Sequence, residues 1–357
     1  MCQINLIFPS SDLEKISAAM LVPFPELTIL KLESIDESMP VLPDSFLGGS
    51  FSRLQLLSLD HIPFPGVPKL LSSAIHLVDL SLMRIPHSGY ISPEEMVAVL
   101  STLNNLKKFS LGFQSRSHSG RASPPSTRIV LPLLNFFWFA GVSEYLEDLV
   151  VRIDAPRVNI LLITFFNQIV FDTRQFLRFI SRTPTLNPPK LAYVVLKDDA
   201  AQVELFPKTS ENREIRVEIS CEELDRRPLS LVRVCNSCLP SLSALEDLFF
   251  RAIDGLLDWQ DDIENAQWLE VLRPFSAVKN LYFSEDFARV IVPALHENIG
   301  SGTTEVLPAL QTIIIEKKTE PSGSILEVIG QFVAARQVGA VSSCPIITVI
   351  HSLDTRY

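Results

Sequence analysis

Cys235-Asn236-Ser237-Cys238 is the C-x-x-C of this chain, and that spacing could serve thiol redox chemistry or half of a zinc site. A redox pair opens a helix after a strand, whereas here the second Cys precedes Leu239-Pro240 at the end of a predicted helix. Zinc needs two further ligands, and the nearest other thiol, Cys221, is not part of a second pair. Both thiols are therefore expected to be structural. Asp258, Asp261, Asp262 and Glu264 crowd around Trp259, ahead of Trp268. A calcium loop needs a Gly for its tight turn, which this run lacks, so the carboxylates read as favourable charge at a helix N-terminus. The six His (61, 76, 87, 118, 296, 351) are isolated, and His296-Glu297 has no second His four residues on. Gly300-Ser301-Gly302 lacks the third Gly of a dinucleotide loop, and no G-x-S-x-G or phosphate-loop spacing occurs. No catalytic residue, cofactor or metal is expected, and the chain reads as a binding protein rather than an enzyme.

Composition narrows what it binds. The 357 residues carry 31 basic and 41 acidic side chains, a net charge of −10. General binding to nucleic acid or to an anionic membrane needs clustered Lys and Arg, so neither is expected. The five Cys are scattered apart from one pair, and no N-x-S/T sequon occurs; a reducing cytoplasmic or nuclear setting fits. Met1 to Ser10 lacks the basic and apolar regions of a secretory signal. The most apolar run, Ile160 to Phe171, contains Asn167 and Gln168 and is shorter than the roughly 20 residues of a membrane span. It reads as a buried strand.

The elements that must present a binding surface are marked by a recurring phrase, L-x-x-L-x-L. It begins at Leu27, Leu54, Leu77 and Leu106, at intervals of 27, 23 and 29 residues, with Phe109 replacing one Leu. Such spacing predicts an α/β fold: a leucine-rich-repeat solenoid, parallel strands on one face and helices or loops on the other, with irregular repeats. The plan is a single solenoid over 1–357, with regular repeats at 23–113, a flexible loop at 115–128 and irregular repeats at 129–350. Side chains alternate across a strand, so the last two Leu of each phrase face inward and the first enters the core from the preceding turn. Ile35, Ile62 and Ile85, each three residues past a phrase, are expected to pack.

Between the phrases, helices are predicted at 11–22 and at 92–104, where Ser92 is a candidate N-cap, Pro93 suits the first helical position and Glu94 and Glu95 the first turn. The spacing further predicts a helix at 129–139 and a strand phrase at Leu146 to Val151. Val158, Leu161 and Ile163 repeat the phrase only 12 residues later. Either that repeat is stripped to a loop or one segment runs on the opposite side of the coil. Later phrases begin at Leu191, Leu245, Val278 and Leu310, at intervals of 54, 33 and 32 residues. Extra strands are expected near 201–205 and 215–220, helices at 172–182, 229–238, 262–273, 285–299 and 324–337, and a last strand at 345–350.

The outward positions of the phrases line one face. In the early repeats they are small or charged: Lys31, Ser58, Asp60, Asp79, Ser81, Lys108 and Ser110. In the later ones they turn large and apolar, and Tyr193, Val195, Phe249, Tyr282 and Ile314 form the expected partner-binding site. The alternative is that a long connection such as 197–228 folds over them. The function these features imply is a protein-interaction scaffold with a partner of unknown identity; a small-molecule sensor with its ligand in a pocket of the solenoid is the second reading.

Three passages carry a family resemblance: Phe24 to Leu32, Leu146 to Ile153 with Asp154-Ala155-Pro156 and Ile163 to Gln168, and Ile329 to Gln337. They resemble F-box-type leucine-rich-repeat proteins expanded in mushroom-forming fungi. The resemblance implies a substrate-recognition part of a ubiquitin ligase receptor, in which an F-box binds a cullin-ligase adaptor and the repeats hold the target. No F-box-like helical segment stands ahead of the repeats, so the adaptor is expected as a partner only if a box lies outside this chain.

Overall fold

The computed structural model describes residues 2–36, 42, 45–50, 52–63, 70–115, 128–166, 173–186, 188–197, 199–207, 213–220, 230–232, 234–239, 242–252, 264–298, 306–317, 327, 329–332, 334 and 346–351. The chain divides into two compact units, Met1–Asn187 and Pro188–Tyr357. Each is α/β, and each is built on a mostly parallel sheet.

The first unit runs β1 (Cys2–Phe8), α1 (Ser10–Ala19), β2 (Leu27–Ser34), β3 (Leu56–Asp60), β4 (Asp79–Ile85), α2 (Pro93–Leu100), β5 (Lys108–Phe113), β6 (Ile129–Val130), β7 (Phe136–Gly141), α3 (Ser143–Val150), β8 (Ile153–Asp154), β9 (Ile160–Phe165) and α4 (Arg174–Arg182). Its main sheet has the order β1-β2-β3-β4-β5-β7-β9, every pair parallel; β6 and β8 form a separate ribbon.

The inward positions of the phrase explain this sheet. Leu30, Leu57, Leu80, Phe109, Phe137 and Leu161 pair across successive strands as one row, and Leu32, Leu59, Leu82, Leu111, Phe139 and Ile163 as the next. None is more than 2% exposed. The leading residues Leu54, Leu77, Leu106, Leu134 and Val158 are buried just ahead of their strands. Each buried apolar side chain contributes about 1.5–3 kcal/mol before ordering entropy is set against it. α2 begins where its sequence says it should: the Ser92 hydroxyl accepts from the Glu95 backbone N–H at 3.2 Å, and the Glu95 carboxylate accepts from the Ser92 N–H at 2.9 Å.

Several expectations for this unit fail. Residues 129–139 are not a helix: Leu134-Asn135-Phe136-Phe137-Trp138-Phe139 carries the phrase with two Phe for Leu and forms β7. Leu146 to Val151 is not a strand. Tyr145, Leu146, Leu149 and Val150 are buried at helical spacing on α3, and Leu146-x-x-Leu149-x-Val151 matches the strand phrase by coincidence. The short 12-residue interval thereby disappears, because the chain passes from β7 through α3 to β9. β1 precedes the first expected helix and pairs with β2. Ile62 and Ile85 are buried as expected, but Ile35 is 63% exposed. The strand expected at 160–171 ends at Phe165, and 167–171 lie outside the described residues, as does most of the expected 115–128 loop (116–127).

The second unit runs β10 (Leu191–Leu196), β11 (Ala200–Phe206), β12 (Glu214–Ser220), β13 (Asp247–Ala252), α5 (Asn265–Leu272), β14 (Asn280–Ser284), α6 (Glu285–Asn298), β15 (Thr312–Lys317) and β16 (Ile346–His351). The strand order is β12-β11-β10-β13-β14-β15-β16. β10 and β13 to β16 are parallel neighbours, while β11 and β12 are an antiparallel hairpin filling the long interval. Val194, Phe250, Phe283 and Ile315 form an inner row, and Trp268 of α5 and Phe287 of α6 pack on Phe250 with ring centroids 6.1 and 5.7 Å away. The helix expected at 229–238 is a helical start at 230–232 and a π-helical turn, Val234–Cys238. Of the helix expected at 324–337, residues 327, 329–332 and 334 are helical and the rest lie outside the described residues. Among the described residues no helix is long and apolar enough to cross a membrane.

Candidate functional site

Parallel register brings four of the five expected partner-site residues into one row of the second unit. Tyr193 pairs with Phe249, Phe249 with Tyr282, and Tyr282 with Ile314. All four are half-buried. The Phe249 and Tyr282 rings stack at 3.9 Å, 7° from parallel, and the Tyr193 ring lies 4.7 Å from the other side of Phe249. The Arg251 guanidinium sits 4.3 Å over the Tyr193 ring, and Phe206 meets that ring edge-on. Each aromatic contact stabilises the row by about 0.5–1.5 kcal/mol beyond area burial. Val195 departs from the expectation. It lies opposite Gln202 and is only 5% exposed, so it is packed rather than presented. The hairpin from the long connection does not fold over the row: β11 and β12 extend the sheet edgewise from β10. Residues 198, 208–212 and 221–228 of that connection lie outside the described residues.

The same register continues the row into charge. Tyr193 pairs with Glu204 and Glu204 with Arg216; two residues on along β10, Val195 pairs with Gln202 and Gln202 with Glu218. Arg216 meets Glu204 at 3.2 Å and Glu214 at 2.6 Å, and Lys197 meets Glu218 at 2.6 Å. Gln202, 2% exposed, donates to Glu204. Burial pushes the Glu204 carboxyl above its ordinary range; Arg216 pulls it back and Glu214 adds to the rise. Partial burial likewise raises the Tyr282 hydroxyl, helped by Asp247 and Tyr193. The outward face of this unit thus joins an aromatic half to a charged half, with Arg251 at the seam.

In the first unit the outward face is also graded. Lys31, Ser58, Ser81, Ser110, Trp138 and Leu162 align as one row, and Leu56, Asp79, Lys108, Phe136 and Ile160 as its neighbour. The small and charged residues sit where the sequence placed them. The apolar end, Phe136, Trp138, Ile160 and Leu162, was missed because 129–139 reads as a helix, although the phrase starting at Leu134 carried the signal. Gly112 makes room for the Trp138 ring: a Cβ there would stand 2.6 Å from the indole Cζ3. Beyond these rows, Arg84 sits in a left-handed conformation (φ 47°) and reaches Asp60 at 2.6 Å and Glu33 at 2.9 Å, tying β2, β3 and β4 together.

Cys235 is buried on its π-helical turn; Cys221 and the run Asp258, Asp261 and Asp262 lie outside the described residues. Among the described residues no group of three His, Cys, Asp or Glu could hold a metal. No protein-family model matches the sequence, and no curated protein matches it.

Proposed function

We propose that this chain is a leucine-rich-repeat solenoid that holds a protein partner against its outward strand face. The phrase recurs at Leu27, Leu54, Leu77, Leu106 and Leu134, and its copies become parallel strands that follow one another in chain order. The observation that carries the binding role is the register-aligned row Tyr193, Phe249, Tyr282 and Ile314: aromatic and aliphatic side chains, half-exposed, on rigid strands. The net charge of −10 favours a protein over nucleic acid. The resemblance to F-box repeat receptors supports a more specific version, in which the held protein is the substrate of a cullin ligase.

Affinity capture from source cells, read by mass spectrometry, tests both versions. The wild-type chain should enrich a partner that Ile314→Lys and the pair Phe249→Ser with Tyr282→Ser lose. Melting should stay near wild type for Ile314→Lys and fall modestly for the pair, which forfeits the stack. Partner capture unchanged in both variants refutes the binding face. Absence of a cullin adaptor from the captured set, for chain extended upstream to any F-box, refutes the ligase version alone.

A further inference from the structure

We propose a second site, in the first unit: the groove along the starts of β3, β4 and β5 docks an acidic, extended protein segment. The groove has a volume of about 620 Å3, and its floor and walls come from equivalent positions of successive phrases. Arg53, His76 and Asn105 each stand just before the buried leading Leu, and Gln55, Val78 and Lys107 just after it. The backbone N–H groups of Gln55, Val78 and Lys107 are already spent, donating to the carbonyls of Thr28, Gln55 and Val78 at 2.8 Å in each case. Side chains are therefore what the groove offers a ligand.

Their chemistry is one-sided. Among the described residues that line the groove, Arg53 and Lys107 carry charge, the imidazole and amides add donors, and none is a carboxylate, in a chain with ten more acidic than basic residues. Among the described residues no carboxylate pairs with Lys107. Arg53 shows how an acid would be held: its guanidinium takes both Glu26 carboxylate oxygens at 2.8 Å. Both partners of that pair are more than half exposed, so the pair is readily exchanged. Neighbouring strands lie about 4.8 Å apart and residues rise about 3.3 Å along a strand, so Arg53 and Lys107, two strands and two residues apart, stand roughly 12 Å apart on a diagonal across the strand starts. One small anion does not span that distance, whereas carboxylates along an extended segment do. The groove is open to solvent rather than enclosed, which suits a chain better than a buried small molecule.

Fluorescence anisotropy with a labelled oligoglutamate peptide tests the site on the full chain. Oligoglutamate should bind tighter than oligoglutamine of equal length. Combined Arg53→Glu and Lys107→Glu should weaken binding about tenfold or more, through loss of two charge-assisted contacts. Arg178→Glu, outside the groove, should change it less than about twofold, by screened long-range charge alone. Glu26→Gln, which releases Arg53, should tighten binding, and Glu270→Gln should not. Three results would each overturn the proposal: no preference for oligoglutamate, an equal loss in Arg178→Glu, or displacement by tripolyphosphate at the peptide's own concentration, which marks a small-anion site. Failure here leaves the aromatic row of the second unit untouched, and the converse holds.

Discussion

Glu147 is the residue whose loss should damage the first unit out of proportion to its size. It lies on α3, is 5% exposed, and its carboxylate accepts from the backbone N–H of Gln175 at 2.8 Å and of Phe176 at 2.7 Å. Those are first-turn amides of α4, whose own N-cap residue, Thr173, makes no side-chain cap. One helix therefore caps the next. Glu147→Ala leaves one buried and one half-buried donor without this acceptor, at about 1–3 kcal/mol each, and removes an anion from a helix N-terminus worth about 0.3–1 kcal/mol. Relief of the buried carboxylate's desolvation offsets part of this, which leaves a net loss of about 3 kcal/mol. For a unit of this size that lowers Tm by about 6–12 °C. Glu147→Gln keeps one acceptor and should lose about half as much. Denaturation followed by circular dichroism gives the totals, and hydrogen exchange gives the site: the Gln175 and Phe176 amides should lose protection before the β4 and β5 amides do. A Glu147→Ala protein within about 0.5 kcal/mol of wild type, the scatter of ordinary surface substitutions, would refute the capping argument.

Leu80→Ala should cost about 2–5 kcal/mol, because Leu80 is fully buried between Leu57 and Phe109 in the inner row. Asp79→Asn, one residue away on the outward face, should cost little and gain with pH. Burial raises the Asp79 carboxyl above its ordinary 3.8, with Lys108 and Lys31 opposing. The folded chain then holds the proton longer than the unfolded chain, so this residue's contribution falls as pH rises from 3.8 to the folded value and stays lower above it. Urea titrations across that window should show the Asn variant improving relative to wild type; a constant difference would contradict it. Gly112→Ala should push the Trp138 indole off the sheet, with a red-shifted emission and a loss of about 1 kcal/mol. An unchanged spectrum and Tm would show that the ring does not need the glycine.

The inner rows were legible because they obey one rule everywhere: two alternating apolar positions and a leading one, whether filled by Leu, Ile, Val or Phe. The rule fails where two periods coincide. Leu146, Leu149 and Val151 fit the strand phrase, but Tyr145 and Val150, which complete a helical face, decide for α3. The converse error hid β7, since Leu131, Leu134 and Trp138 mimic helical spacing while Phe137 and Phe139 alternate with it. Burial set by partners distant in sequence was less legible. Val195 sits on the outward parity of its strand, yet the hairpin places Gln202 opposite it and closes it off. Ile35 occupies the same offset as Ile62 and Ile85, yet only the latter two are covered.

Under the proposed function, the way the rings of the second unit are arranged limits what they can recognise. Phe249 has Tyr193 on one face and Tyr282 on the other, so its faces are spent within the chain and its edge is what a partner meets. Ring edges carry the positive side of the aromatic quadrupole and favour oxygen acceptors. Stacking also fixes the side chains before binding, which lowers the ordering cost a partner would otherwise meet, about 0.5–1.5 kcal/mol per immobilised side chain. The best complement is therefore a backbone segment whose carbonyls approach the ring edges while an aliphatic side chain rests on Ile314, rather than a partner that inserts an aromatic ring between these residues. Truncating Ile314 should then cost affinity with little cost in stability, whereas truncating Phe249 costs both.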